Sequence, residues 1–187
     1  MRSAARHPVR IISIVLVVLA VAAGPAAATT DARSTSGSTT SGSTTGTQTT
    51  TFTVTLTSQQ TVLEQLGAGG EITYGWNELT GTAPSASGDI GVTLLGNVEY
   101  SNGVGPFFGF MTLKFASLST VGTRLTGKAT QDSSGVTHFR AKMRIIGGSA
   151  ALIGAKGTGS FTGTRRDDLG GAVELDVTLK MRGVDIG

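Results

Sequence analysis

Residues Val173 to Arg182, VELDVTLKMR, alternate without a break, with Val173, Leu175, Val177, Leu179 and Met181 apolar and Glu174, Asp176, Thr178, Lys180 and Arg182 polar. Successive side chains of a strand point to opposite faces, so the pattern describes a strand with one face in a core and one in water. The same period sets Phe52, Val54 and Leu56 against Thr53, Thr55 and Thr57, and predicts further strands at about 71–79, 88–100, 106–116, 122–130, 135–146, 155–165 and 172–182. Turn formers such as Ser101-Asn102-Gly103 and Asp132-Ser133-Ser134-Gly135 separate them. Eight antiparallel strands at hairpin spacing, with no long helix between them, predict an all-β fold. A closed up-and-down barrel suits it, because closure removes the edges an open sheet must protect. A two-sheet sandwich is the rival arrangement.

The amino-terminal third departs from this pattern. Arg2, Arg6 and Arg10 precede an apolar run from Ile11 to Ala23, and Ala26-Ala27-Ala28 offers a small-residue cleavage site, so residues 1–28 read as a signal peptide. A run of this length falls short of the roughly 20 residues that span a bilayer, so no stable membrane insertion is expected after cleavage near Thr29. Residues 29–51 hold sixteen Ser or Thr among twenty-three and no large apolar side chain, which predicts a disordered tether to a domain over 52–187. The protein is thus expected to be secreted or extracytoplasmic.

Composition excludes several chemistries. With no cysteine, thiol catalysis, thiolate metal sites and disulfides are absent. The chain has 15 Lys and Arg against 12 Asp and Glu, and removing the three signal-peptide arginines leaves 15 − 3 = 12 against 12. That balance gives no reason to expect a nucleic-acid partner. His138, the one histidine after the signal segment, shares a strand face with Arg140, Lys142 and Arg144 and reads as a solvated residue. No metal-ligand spacing accompanies it, and no metal or cofactor is expected. Asp167-Asp168 lies in the expected hairpin RRDDLGG, where such residues form turns.

Two apolar groups invite other readings. Tyr74, Trp76 and Glu78 share one strand face and form the best aromatic and polar cluster for a barrel mouth, although core packing would also account for them. In GPFFGFMTLKF, Phe107, Met111, Leu113 and Phe115 share one face while Phe108 and Phe110 share the other. Either Phe108 and Phe110 are covered by a second subunit or a terminal segment, or their side lines the barrel.

The stretch GGSAALIGAKGTGSFTG fails as a phosphate loop, since Lys156 is followed by Gly157, and its Gly-Thr-Gly continues into a strand pattern rather than a helix. Gly147 and Gly148 are expected to end one strand, Ser149 to cap a short helical turn to Ile153, and Gly154, Gly157 and Gly159 to let the next strand curve. These residues resemble the glycine signature of the allene oxide cyclase barrel family, shared in looser form by plant dirigent proteins and small bacterial relatives. YGWNELTG, GDIGVTLLGNVEY, FFGFMTLKFAS and VELDVTLKMRG look like further strands of that family, so the resemblance spans most of Glu71 to Val184. It implies an eight-stranded antiparallel barrel with an apolar interior, assembled as a dimer or trimer, in an exported bacterial protein. Plant cyclases use a glutamate, an asparagine, a tyrosine and a cysteine. Here Gly75 stands at the glutamate position, no cysteine exists, and Asn77 alone matches, while Glu78 matches an acid beside the site. The expectation is therefore a non-catalytic barrel that binds a small apolar ligand or serves assembly, with Tyr74, Trp76, Asn77 and Glu78 as ligand contacts. The alternative is a cyclase-like or dirigent-like guide of a reactive intermediate.

Overall fold

The structure, a computed structural model, describes residues 46–166 and 169–183. Residues 1–45, with the expected signal segment and most of the expected tether, Asp167-Asp168 and residues 184–187 lie outside the described residues.

Eight strands form the fold: β1 Thr47–Leu66, β2 Ile72–Ala83, β3 Ile90–Ser101, β4 Gly105–Lys114, β5 Thr120–Gln131, β6 Thr137–Gly148, β7 Lys156–Arg165 and β8 Val173–Arg182. They follow one another around a closed barrel, each antiparallel to the next, and β1 closes against β8. The sandwich is thereby excluded. Strand β1 makes the closure by dividing its length: Thr47–Leu56 pairs with β8 and Thr57–Leu66 pairs with β2, with a bulge between Ser58 and Gln60. Thr47 to Thr51, expected in the tether, instead belong to β1 and pair with Arg182 to Thr178. Their side chains bury little, but their backbone groups are satisfied by a strand 127 or more positions away in sequence, which no local composition reveals.

Alternation sets the core. Val173, Leu175, Val177, Leu179 and Met181 point inward and are buried. The connections β2–β3, β4–β5 and β6–β7 lie at the end where the chain enters, called the entry end; the other four lie at the far end. The entry half is filled: Ile90, Met111, Leu113, Val121, Leu179 and Met181 are each no more than 1% exposed. Leu152, from the single helical turn Ala150–Leu152, is buried with them. Ser149 begins that turn but makes no side-chain cap; instead its N–H donates to the Thr120 carbonyl at 2.9 Å, and the two hydroxyls are hydrogen-bonded. Buried Thr123 donates to the Met111 carbonyl at 3.1 Å, so its hydroxyl is satisfied within the core. An eight-stranded barrel is just wide enough for side chains to fill it or for one small ligand, and the entry half takes the first course.

Candidate functional site

The far half is left partly open. Phe107 of β4, Phe139 of β6 and Phe161 of β7 meet there, with Phe107 edge-on to Phe139 at 5.9 Å between ring centres and stacked on Phe161 at 6.0 Å. Rings at this spacing, edge-on or stacked, attract one another beyond the area they bury. Beside them lies a cavity of about 70 Å³, walled by aliphatic residues including Leu56, Leu79, Leu94 and Leu175. Glycine supplies part of the room, since Gly96 faces the cavity from β3 with no side chain of its own.

Three polar side chains enter this apolar wall: Asn77 of β2, Tyr100 of β3 and Arg165 of β7. All are buried, and Arg165 is only 6% exposed. The guanidinium carbon of Arg165 lies 5.5 Å from the centre of the Phe139 ring, where the ring's negative face favours a cation. Burial pushes the Tyr100 phenol up to about 12, with the nearby Arg165 charge pulling the other way. Tyr100 is therefore a neutral O–H donor across the physiological range. Asn77 accepts hydrogen bonds at its Oδ1 from Ser58 at 2.6 Å and Thr61 at 3.1 Å, which fixes its amide at the rim where β1 and β2 pair. An apolar cavity with a cation, a neutral phenol and an amide is suited to a small apolar molecule carrying an acidic or hydrogen-bonding group.

The sequence-derived ligand set divides. Asn77 faces the cavity, but Tyr74, Trp76 and Glu78 point outward, because residues of odd number along β2 (Thr73, Asn77, Leu79, Ala83) are the buried ones. Tyr74 is 43% exposed, so the aromatic cluster belongs to the outer wall rather than the mouth. Gly75, at the family's glutamate position, has φ of 139° and an added Cβ would strike the Val62 carbonyl of β1. A side chain has no place there. Tyr100 and Arg165 were not singled out by sequence reasoning. The signal for Arg165 was its parity: Phe161, Gly163 and Arg165 share the inward face of β7.

Phe108 and Phe110 are outward, at 56% and 41% exposed, while Phe107 and Met111 are core. Their neighbours across the strands, Leu95 beside Phe110 and Asn97 beside Phe108, continue the outer wall toward Trp76. His138 is exposed and paired with Asp132 at 2.8 Å. Asp132 is held well below the usual carboxylate range, first by Ser134 and then by His138. No group of carboxylates and histidines suited to a metal occurs among the described residues.

The glycine stretch serves the backbone at four of its five expected positions. At Gly157, with φ of 154°, an added Cβ would land on the Lys180 carbonyl, and at Gly148 it would land on that of Leu152. Gly159 similarly abuts the Thr178 carbonyl at 2.6 Å, and Gly154 has φ of 85°. Gly147 is the exception, since nothing lies within 4 Å of its added Cβ and its φ is not positive. It lines an outer groove between the ends of β6 and β7 instead of meeting another strand.

No protein-family model matches the chain, and no curated protein sequence does. Among solved structures, that of a pterocarpan synthase dirigent protein is similar to this chain, with 13% identity and a TM-score of 0.43 over 82% of this chain and 98% of that one.

Proposed function

We propose that the barrel binds a small apolar molecule, about the size of one ring with short substituents, that carries an acidic group. The observation that supports this is the burial of Arg165 and Tyr100 in the wall of an otherwise apolar cavity. Arg165 and Tyr100 bring N–H and O–H donors to a wall that is otherwise apolar, and an acidic group on a ligand accepts from such donors while the rings cover the rest of the molecule. The size follows from the cavity: about 70 Å³ accommodates roughly five waters, equivalent to about 150 Å³ of liquid.

Calorimetric titration with benzoate and cinnamate, against their uncharged amides, tests the reading. The acids are expected to bind saturably and the amides at least tenfold more weakly. Gly96→Leu, whose Cβ meets only the tip of Leu94 at 3.1 Å, should fill the space and abolish binding in a folded barrel. Equal affinity for acid and amide, or unchanged binding in the filled variant, would overturn it.

A second reading uses the same cavity. A phenol that keeps its proton, beside a fixed guanidinium, could hold a reactive intermediate in one shape and so steer a cyclisation or coupling. Turnover separates the two, since a binder leaves product ratios unchanged and a guide alters them.

A further inference from the structure

The formally balanced charge hides a strong segregation. Strands β1 to β3 carry the acids Glu64, Glu78 and Glu99 and no Lys or Arg, whereas β4 to β7 carry eight Lys or Arg and no acid. Two of the resulting cross-strand pairs are like-charged, Arg124 opposite Arg144 and Lys128 opposite Arg140. Such pairs destabilise a sheet. Of the eight, Arg165 lies inside the barrel, so seven face outward.

The entry end adds apolar tips to the cations. Leu118, in the β4–β5 turn, and Ile153, in the β6–β7 loop, are 71% and 72% exposed, and Ile146 between them in sequence is 55% exposed. The Thr120–Ser149 hydrogen bonds tie the two loops together. Leu118 stands at φ of 63°, after a turn closed by its N–H to the Phe115 carbonyl at 2.9 Å, in a position that glycine occupies at no steric cost. A leucine there adds backbone strain to apolar exposure, and neither stabilises the barrel. Arg144, Lys156 and Arg182 line a groove together with Ile146 and with Gly154, which follows Ile153 in the chain. Lys114 ends β4 at the same end, and Asp89 is the one acid there among the described residues.

We propose that the entry end docks on an anionic lipid bilayer, with Leu118 and Ile153 entering the interface and a phosphate headgroup occupying the groove of Arg144, Lys156 and Arg182. Apolar side chains gain by leaving water for the acyl boundary, and cations beside them gain from the negative surface. A soluble polyanion would account for the cations but leaves the exposed leucine and isoleucine unexplained. Strand β1 begins at this end, with Thr47 beside Arg182, so the chain enters the barrel on the docking side. The cavity lies in the opposite half, and the two proposals stand independently.

The chain has no cysteine, so Ser117→Cys labelled with an environment-sensitive dye reports on the β4–β5 turn alone, and Ser133→Cys reports on the far end. Vesicles of phosphatidylglycerol and phosphatidylcholine should shift the dye at residue 117 to the blue and leave that at 133 unchanged, while pure phosphatidylcholine shifts neither. Adding Leu118→Gly should raise the melting temperature, by relieving strain, yet raise the lipid concentration at half-maximal shift about tenfold. Lys156→Gln with Arg182→Gln should raise it roughly twentyfold. Equal shifts at both labels, a response that survives Leu118→Gly, or a response to inorganic polyphosphate as large as that to vesicles would overturn the proposal; the last would assign the groove to soluble anions.

Discussion

Arg165 of β7 and Phe139 of β6 meet inside the barrel with 5.5 Å between guanidinium carbon and ring centre, a buried cation on an aromatic wall. The pair joins the apolar and polar halves of the cavity. Because Arg165 also acts on Tyr100, the site responds as a unit to changes in either side chain.

The phenol supplies a pH test. Its pKa is about 12 in the folded chain against 10.0 in the unfolded one. A group raised on folding keeps its stabilising contribution below the unfolded value and loses it as pH rises through the folded value. Stability should therefore fall between pH 10 and 12, and urea titration of Tyr100→Phe across that window should show a shallower fall. Identical slopes in the two chains would contradict the burial of the phenol.

Backbone crowding at the glycine stretch predicts that Gly148→Val and Gly157→Val each lower stability by more than about 1 kcal/mol. Gly147→Ala, facing open space, should stay within about 0.5 kcal/mol of the parent. Denaturant unfolding of the three checks this, and a reversed order would mean the stretch is placed wrongly.

The outward rings of Phe108 and Phe110 are expected to be covered by a second copy of the chain. Removing them from water contributes several kcal/mol to association, at roughly 25 cal/mol per Å² of apolar area before association entropy is deducted. Phe108→Ser with Phe110→Ser should yield a folded monomer where the parent is a dimer or trimer, as measured by light scattering and circular dichroism. A parent already monomeric at micromolar concentration contradicts this.

Strand period carried most of the fold. The alternation of Val173 to Arg182 gives its inward face directly, and the same grammar places β2 to β7 within a few residues of their observed limits, while of β1 it reads only Phe52 to Thr57. What it could not carry was anything decided by a distant partner. Thr47 to Thr51 look like tether and become strand because β8 pairs with them. Tyr74, Trp76 and Glu78 were rightly grouped on one face, but the choice of inside or outside depends on which face of β2 closes the barrel. Arg165 looked like hairpin charge beside Arg166, and only its parity with Phe161 marked it as interior. The basic wall was invisible to net charge, since the acids that offset it in the sum lie elsewhere, on β1 to β3, on β8 and between the strands.

Methyl-resolved NMR during a benzoate titration tests the cavity most directly. The methyl signals of Leu79, Leu94 and Val173, which line the cavity, should move together along one saturable curve, while those of Leu113, Val121 and Leu179 in the filled half stay fixed. Shifts in the filled half as large as those around the cavity, or no movement up to the solubility limit of the acid, would contradict a binding site in the far half of the barrel.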